Sequence, residues 1–293
     1  MFNKVAVWDP QNFGDHILCT PVYRHLKKDL GIKTVDVLFD PKLHGHRASI
    51  NFLETNPYVD NLIITNQWDM GPALTKQYNY EAILRSHYGN WVLYPDKHIK
   101  DILCDNIEND FKTKIVDRTV DVFLTSADEE FAAAYSGCIS FIPFTDFMRN
   151  SREWDPATNW LKLGRKFKEL GYKVVVLGSP YVPMFDEFIN LTGKTTARQA
   201  VAVIKNSKLH VCASTFSEII TDYYKMPAVV LSCSSSPLIT GYLSNVNMFK
   251  DITCWPCFSG RRKPMLCSGK TPACAYFTVD EVFDKCIQTI DHV

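Results

Sequence analysis

A Gly-Asp pair stands between the first apolar stretch of the sequence and the helical pattern that comes next. Gly14 and Asp15 follow the apolar residues 5–8 and precede apolar residues at helical spacing. A carboxylate at a helix N-terminus stays ionised, because that end of the helix is partly positive, and it can take a proton from an incoming hydroxyl. Aspartate is also a common helix cap. Asp15 is therefore a candidate general base, with helix capping as the alternative.

Ten cysteines are many for a chain inside the reducing cell, and four of them crowd into one short segment. These four are Cys254, Cys257, Cys267 and Cys274. Four thiolates can hold a tetrahedral zinc ion that fixes a loop, and such a zinc is structural because no coordination position stays open. The spacing is irregular for the common zinc ribbons, so disulfides or free thiols are the alternatives. A structural zinc is one prediction for this segment.

Composition and charge exclude several classes of protein. The chain has 293 residues, of which 46% are hydrophobic and 22% charged, and this excludes a largely disordered chain and a coiled coil. It carries 32 basic and 32 acidic side chains, so a broadly basic nucleic-acid surface is not expected. Residues 1–137 have a net charge of −5 and residues 138–293 one of +5. A phosphate-bearing ligand is better placed on the second half.

The apolar runs of the sequence are too short for a transmembrane helix. None approaches the roughly 20 residues that a span requires. Met1 leads almost at once into the strand-like residues 5–8, which is not the pattern of a signal peptide. We expect a soluble chain that works in the cytoplasm, either free or at the surface of a membrane.

Strand-like and helix-like segments alternate along the sequence, which predicts an α/β protein with parallel sheets. In the first half the predicted strands are residues 5–8, 34–39, 62–64, 82–84 and 120–124. A second series has predicted strands at residues 139–143, 174–177, 209–212 and 228–231. We therefore place two Rossmann-like domains at 1–137 and 138–293, with a cysteine-rich loop at 254–274. Ligands bind such domains at the carboxyl ends of the strands.

Eight short motifs follow one another along nearly the whole sequence. They lie at residues 14–21, 56–60, 152–160, 191–195, 211–215, 226–231, 236–237 and 254–258. The first is a Gly-Asp, two apolar residues after one variable position, and a Thr-Pro. The third is a basic residue before a Trp and then a second Trp. Together these motifs resemble the heptosyltransferase-like glycosyltransferases, a family that includes the ADP-heptose:lipopolysaccharide heptosyltransferases.

The resemblance implies the GT-B fold, in which two Rossmann-like domains face each other across a cleft. It assigns the acceptor side to residues 1–137 and the nucleotide sugar to residues 138–293. The implied reaction moves a sugar from a nucleotide-diphosphate sugar to an acceptor hydroxyl, with inversion and with no cofactor required for catalysis. The acceptor that the family implies is a glycan of lipopolysaccharide type.

The resemblance also implies roles for individual residues. Asp15 matches the catalytic base, and Arg152 matches the basic residue that meets the donor phosphates, where a cation offsets the charge of the leaving diphosphate. Ser214 and Thr215 match the loop that holds the diphosphate at a helix N-terminus, which is a natural anion site. The other residues that we expect to bind substrate are Gly14, Thr20, Gly178, Tyr181, Ser217 and Glu218.

The sequence departs from the family pattern in the donor half. Where the family has Asp-Thr-Gly-Pro-x-His, residues 214–219 read Ser-Thr-Phe-Ser-Glu-Ile. The missing aspartate, glycine and histidine touch the donor sugar and phosphate, which puts ADP-heptose in doubt as the donor. Glu218 either accepts hydrogen bonds from ribose or sugar hydroxyls or only interacts with the helix dipole. The family's acidic residue after Gly178 is also absent, so Tyr181 either stacks on a base or is a surface residue.

Besides a sugar-nucleotide epimerase of the same architecture, which would form product with no acceptor present, two other functions stay open at this point. One is a glycosyltransferase that acts on a hydroxymethylated base in DNA, which the positive second half and the basic residues 42–47 favour and the zero net charge opposes. The other is a non-catalytic protein of the same fold that binds a nucleotide sugar, which the altered donor motif favours. The expected partners are a nucleotide-diphosphate sugar and either a glycan or modified DNA.

Overall fold

Two compact units make up the structure, which is a computed structural model. It describes residues 2–8, 12–40, 46–65, 72–85, 97–144, 154, 158–178, 185, 187–233, 235–252, 255, 274 and 276–291. Unit 1 contains the described residues up to Arg85 and those from Lys97 to Phe123, and unit 2 begins at Leu124. The sequence analysis placed the domain boundary between residues 137 and 138, whereas the contacts between residues place it between 123 and 124.

A four-stranded parallel sheet forms the centre of unit 1, with strand order β3-β2-β1-β4. Its strands are β1 (Lys4–Trp8), β2 (Thr34–Phe39), β3 (Asn61–Ile64) and β4 (Ala82–Arg85). Its helices are α1 (Phe13–Leu18), α2 (Thr20–Arg24), α3 (His46–Leu53), α4 (Pro72–Tyr78) and α5 (Ile99–Phe111), and a π-helical turn at His25–Asp29 continues α2. The four strands that the sequence predicted before residue 85 are confirmed.

A six-stranded parallel sheet forms the centre of unit 2, with strand order β10-β9-β8-β5-β6-β7. Its strands are β5 (Ile139–Ile142), β6 (Val174–Val176), β7 (Ile189–Asn190), β8 (Leu209–Ala213), β9 (Ala228–Leu231) and β10 (Val246–Met248). Its helices are α6 (Ser126–Ala133), α7 (Thr158–Glu169), α8 (Ala197–Lys205), α9 (Ser217–Tyr224), α10 (Pro237–Thr240) and α11 (Val279–Asp291). The predicted strands of the second half are confirmed, and the short β7 and β10 were missed.

Helix α6 belongs to unit 2 because of the helix that it contacts. It packs along α8, and the Asp128 carboxylate of α6 pairs with the Arg198 guanidinium of α8 at 2.9 Å. Both side chains are largely buried, so the pair couples the two helices more firmly than an exposed ion pair would. Residues 124–137 were assigned to the first domain from sequence, whereas the contacts group them with unit 2.

Residues 120–124 were predicted as a strand and form none. Val120 and Val122 are buried, which produces the alternating pattern typical of a strand. The backbone hydrogen bonds of this segment go to side chains instead. The Asp121 N–H donates to the Thr20 hydroxyl at 2.7 Å, and the Thr55 hydroxyl donates to the Phe123 carbonyl at 2.8 Å. The segment is therefore extended chain held by side chains of unit 1.

Aromatic side chains fill the core of unit 2. Phe141 of β5 contacts Trp160 and Phe167 of α7, with ring centres 5.3 and 6.2 Å apart. Trp154 lies edge-on to Trp160 at 5.2 Å, and its indole N–H donates to the Phe277 carbonyl at 2.8 Å. This bond ties the start of the α7 region to the segment before α11. None of the described helices has the length and hydrophobicity needed to cross a bilayer.

A buried histidine lies at the middle of the second sheet. His210 of β8 is fully buried, and its Nδ1 makes a 2.8 Å hydrogen bond with the Ser140 hydroxyl of the neighbouring β5. Burial lowers the pKa of His210 from 6.5 to about 3, since the imidazolium form loses its hydration. His210 is therefore neutral in the folded protein at any physiological pH.

This lowered pKa predicts how stability depends on pH. Below about pH 6.5 the unfolded chain binds a proton at His210 that the folded chain does not bind, so the free energy of unfolding falls as the pH drops towards 3. The slope from one such group is at most about 1.4 kcal/mol per pH unit. Urea unfolding at pH 7, 6 and 5 should show a smaller loss for His210→Gln than for the unsubstituted protein. An equal loss in both would contradict this assignment.

Candidate functional site

Asp15 lies in the first turn of α1, where the chain leaves β1. Its Oδ2 accepts a hydrogen bond from the Asn12 N–H at 2.9 Å, and its own N–H donates to the Asn12 carbonyl at 3.0 Å. The side chain is buried, with 7% of its surface exposed. The N-cap of α1 is therefore Asn12, and Asp15 is the N3 residue of its capping box, three positions after the place that the capping alternative gave it. A carboxylate has several lone pairs, so this bond does not prevent it from accepting a proton.

The side chain next to Asp15 carries no charge. His16 is buried, and its ring packs against Phe39 at the end of β2, with ring centres 4.9 Å apart. Burial lowers the pKa of His16 from 6.5 to about 3. His16 therefore contributes no cation beside the carboxylate, and it is not a proton carrier at neutral pH.

Thr20 is buried, and both hydrogen bonds of its hydroxyl are internal. Its Oγ1 donates to the Ile17 carbonyl at 2.8 Å and accepts from the Asp121 N–H at 2.7 Å. Arg24, one turn further along, donates to the carbonyls of Asp117 and Thr119 and pairs with the Asp121 carboxylate. These bonds fasten the last part of unit 1 to α2. Gly14, in α1, is partly exposed.

The strands of unit 1 end in polar or aromatic side chains along one edge of the sheet. Trp8 and Arg85 are the last residues of β1 and β4, and Asp40 and Thr65 directly follow β2 and β3. Because all four strands are parallel, these residues and the α1 turn that holds Asp15 lie at the same edge. The sequence analysis missed Trp8 and Arg85, although their positions at strand ends were visible in it.

The candidate donor turn connects β8 to α9 in unit 2. The Ser214 hydroxyl donates to Glu218 Oε1 at 2.9 Å, and the hydroxyls of Thr215 and Ser217 lie 2.8 Å apart. Ser214, Ser217 and Glu218 are buried, and Thr215 is partly exposed. The structure therefore brings the four predicted residues together, with Thr215 as the member that faces outwards.

The N–H groups at the start of α9 donate to carbonyls of the same turn. The Glu218 N–H donates to the Thr215 carbonyl at 3.2 Å, and the Ile219 N–H donates to the Phe216 carbonyl at 3.1 Å. The buried Glu218 carboxylate also lies at this helix end, where negative charge offsets the positive end of the helix dipole. Both features lower the attraction of this turn for a diphosphate.

The Asn245 side chain holds the first turn of α9 through two hydrogen bonds, and this pair of bonds is called the Asn245 lock. Its amide nitrogen donates to the Glu218 carbonyl at 2.9 Å, and its amide oxygen accepts from the Thr221 hydroxyl at 2.9 Å. Asn245 and Thr221 are both buried. Asn245 precedes β10, so this amide joins the donor turn to the edge of the second sheet. The motif comparison gave no signal for it, because a single asparagine near a loop has no distinctive pattern.

Gly178 follows β6 and has a φ of 144°, a backbone conformation that glycine adopts without strain. Its carbonyl accepts from the Gly193 N–H at 3.0 Å, which brings the motif at 191–195 next to the end of β6. Arg152 and Tyr181 lie outside the described residues. The structure therefore places Gly178 at a strand end of unit 2. The roles of Arg152 and Tyr181 in substrate binding stay predictions.

Cys274 is the described member of the cysteine set, and Cys254, Cys257 and Cys267 lie outside the described residues. Cys274 is buried and packs with Cys233, which lies two residues after the end of β9. Ile252 and Trp255 pack against these two cysteines. Within the described part of the chain, no three potential ligands among His, Cys, Asp and Glu form a group that could hold a metal ion. Cys233 was not part of the predicted set, since it is far from it in sequence.

Comparison with solved structures identifies the fold. A family 9 glycosyltransferase from Veillonella parvula is 15% identical, with a TM-score of 0.73 over 99% of this chain and 98% of its own. ADP-heptose LPS heptosyltransferase II from E. coli is 16% identical, with a TM-score of 0.70 over 99% of both chains. The chain has the fold of the heptosyltransferases. The GT-B fold expected from the eight motifs is thus confirmed.

The heptosyltransferase fold recurs in a protein that is described as dodecameric and iron-containing. The dodecameric iron-containing heptosyltransferase TibC, solved with ADP-D-β-D-heptose, is 12% identical with a TM-score of 0.66. The match covers 98% of this chain and 76% of TibC. No protein-family model and no curated protein matches the sequence. At these identities the comparisons establish the heptosyltransferase fold alone.

The Asn245 lock predicts a loss of stability when its amide is removed. Asn245→Ala leaves the buried Glu218 carbonyl and Thr221 hydroxyl short of one bond each, so the free energy of unfolding should fall by about 1–3 kcal/mol. Urea unfolding measures the change. Gln288→Ala, which removes an exposed amide on α11, is the matched control and should change stability by less than about 0.5 kcal/mol. Equal effects of both substitutions would contradict the lock.

Proposed function

We propose that this protein is an inverting glycosyltransferase that moves a sugar from a nucleotide-diphosphate sugar to an acceptor hydroxyl. The observation that carries the proposal is the heptosyltransferase fold over 99% of the chain together with a buried carboxylate, Asp15, in the turn after β1. The motif match at residues 14–21 assigns the base to this same carboxylate. We expect the protein to work in the cytoplasm, free or at a membrane surface.

In the proposed reaction Asp15 acts on the acceptor. The carboxylate accepts the proton of the acceptor hydroxyl while that oxygen bonds to the anomeric carbon of the donor sugar. The bond from the anomeric carbon to the diphosphate breaks, and the nucleoside diphosphate leaves with the electron pair. A single displacement of this kind inverts the anomeric centre. The bond from the Asn12 N–H holds the carboxylate in one orientation, which favours proton transfer at a fixed position.

We infer that the turn at Thr215 meets the hydroxyl-bearing part of the donor. Thr215 is the partly exposed member of the turn, and the Ser214–Glu218 hydrogen bond behind it holds the turn in shape. The Glu218 carboxylate behind the turn disfavours a diphosphate at this helix end, whereas the partly exposed Thr215 hydroxyl can form hydrogen bonds with ribose or sugar hydroxyls. In this proposal Arg152 binds the phosphates of the sugar donor. The resemblance implies that Gly178, Tyr181 and Ser217 also contact the sugar donor.

Asp15→Asn tests the proposed base. Asparagine keeps an oxygen that can accept the Asn12 N–H but cannot take a proton, so kcat should fall by roughly 10²–10⁴-fold. Activity is measured as nucleoside diphosphate release with a panel of ADP, UDP, GDP and CDP sugars and glycan acceptors. The thermal shift produced by the nucleotide should persist in the variant, since donor binding does not need this carboxylate.

A matched control separates catalysis from helix capping. Asp128 occupies the same capping position in α6, where its Oδ2 accepts from the Thr125 N–H at 2.9 Å. Asp128→Asn should lose stability and keep its turnover. Turnover by Asp15→Asn equal to that of the unsubstituted protein would remove Asp15 as the base.

A non-catalytic nucleotide-sugar-binding protein is the second candidate. The internal bonding of Ser214 and Glu218, at positions where the family pattern has donor-binding residues, favours it. A thermal shift with a nucleotide sugar but no release of nucleoside diphosphate with any acceptor would support this candidate. The acceptor of the transferase is a glycan of lipopolysaccharide type, with a hydroxymethylated DNA base as the alternative. Salt-dependent binding to duplex DNA would indicate the alternative.

We propose that Cys254, Cys257, Cys267 and Cys274 hold a structural metal, zinc in the first instance. Thiolates suit zinc and iron alike, and TibC is an iron-containing protein. Elemental analysis of the purified protein should give about one metal ion per chain, and Cys274→Ser should lower that amount. Cys286→Ser changes a buried cysteine of α11 and should not lower it. A metal-free protein would favour disulfides or free thiols.

A further inference from the structure

An arginine and a tryptophan are stacked at the carboxyl edge of the first sheet. Trp8 ends β1 and Arg85 ends β4, and the two residues are partners in the register of the sheet. The guanidinium carbon of Arg85 lies 5.1 Å from the centre of the Trp8 ring. Arg85 is exposed and Trp8 is partly buried. The two side chains form one cationic surface at the edge of the sheet where ligands of parallel-sheet proteins bind.

Arg85 differs from two other arginines of unit 1 in its partners. Arg24 pairs with the carboxylates of Asp117 and Asp121, and Arg118 pairs with those of Asp101, Asp105 and Glu108. Those arginines hold segments of unit 1 together. In the described part of the chain no carboxylate pairs with Arg85, and its contact is the Trp8 ring. Its positive charge is therefore available to a ligand.

The stacking fixes how Arg85 can bind. Trp8 packs against a buried cluster formed by Ala6, Leu38, Leu74 and Tyr80, so the ring is a firm support. A guanidinium that lies on an aromatic face is held in its plane while its N–H groups still point outwards. Two parallel N–H groups match the two oxygens of a carboxylate or a phosphate. The pair thus suits an oxyanion better than a neutral sugar.

We propose that Arg85, supported by Trp8, binds an anionic group of the saccharide acceptor. This inference rests on the proposed function, because it places the acceptor at the edge of the sheet where α1 presents Asp15. The hydroxyl to be glycosylated lies at Asp15, and the carboxylate or phosphate of the acceptor lies on Arg85. Arg85 then selects for acidic acceptors, and this selection does not involve the donor turn of unit 2.

Direct binding tests the inference separately from catalysis. The probes are a neutral disaccharide, the same disaccharide with one uronic acid, and the same disaccharide with one phosphate, titrated by calorimetry into the full chain with the nucleotide present. We expect the acidic probes to bind at least about 10-fold more tightly than the neutral one. Whichever acidic probe binds more tightly identifies carboxylate or phosphate as the natural group.

The variants assign the preference to Arg85. Arg85→Gln should remove the difference between acidic and neutral probes, and Arg85→Lys should retain part of it, because lysine keeps the charge without the fork geometry. Lys33→Gln removes an exposed cation before β2, at the opposite edge of the same sheet, and should leave the preference intact. The nucleotide-induced thermal shift should be equal in all four proteins.

Four results would overturn the inference. They are equal binding of acidic and neutral probes, no binding of any probe, a preference that survives in Arg85→Gln, and tighter binding of duplex DNA than of either acidic probe. Failure of the proposed function looks different. In that case Arg85-dependent binding of the acidic probe persists, but no nucleoside diphosphate is released with any donor.

Discussion

Every described strand pairs with its neighbours in parallel, and the placement of the candidate site depends on this constraint. A parallel ladder puts the carboxyl ends of all strands in a sheet at one edge, so the turns that leave the strands collect there. In unit 1 this edge holds Asp15, Trp8 and Arg85, although Arg85 is 70 residues away from Asp15 in sequence. In unit 2 it holds Gly178 and the turn from Ser214 to Glu218. Neither set requires its members to be close in the sequence.

Both candidate turns bury a carboxylate at the beginning of a helix. Asp15 in α1 and Glu218 in α9 each accept a 2.9 Å hydrogen bond from a nearby residue, from the Asn12 N–H and the Ser214 hydroxyl respectively. Burying a carboxylate is costly unless a donor and a favourable electrostatic field accompany it, and the partly positive end of the helix supplies the field in both turns. The position therefore stabilises a negative charge inside the protein. In unit 1 that charge suits a base, and in unit 2 it holds the turn that presents Thr215.

The strands and the Gly-Asp turn could be predicted from sequence because their signals are local. A run such as Val174–Val176 is apolar throughout since it is buried on both faces, and Asp15 stands where an apolar strand gives way to a helical pattern. Contacts made across the fold have no such signal. Cys233 packs with Cys274, and α6 packs on α8, without any cue in their spacing. Residues 120–124 have a strand's pattern of burial, but side chains from α2 and from Thr55 take the hydrogen bonds that a strand would give.

The capping bond of Asp15 has a consequence for how the Gly-Asp pair is used as a signature. The same carboxylate that would accept a proton also closes the first turn of α1, so natural selection for a folded chain and selection for turnover act on one side chain. A descendant that abandoned its reaction would still lose stability if this aspartate were replaced by a side chain that cannot accept the Asn12 N–H. The Gly-Asp pair in a chain of this fold is therefore not by itself proof of an active enzyme.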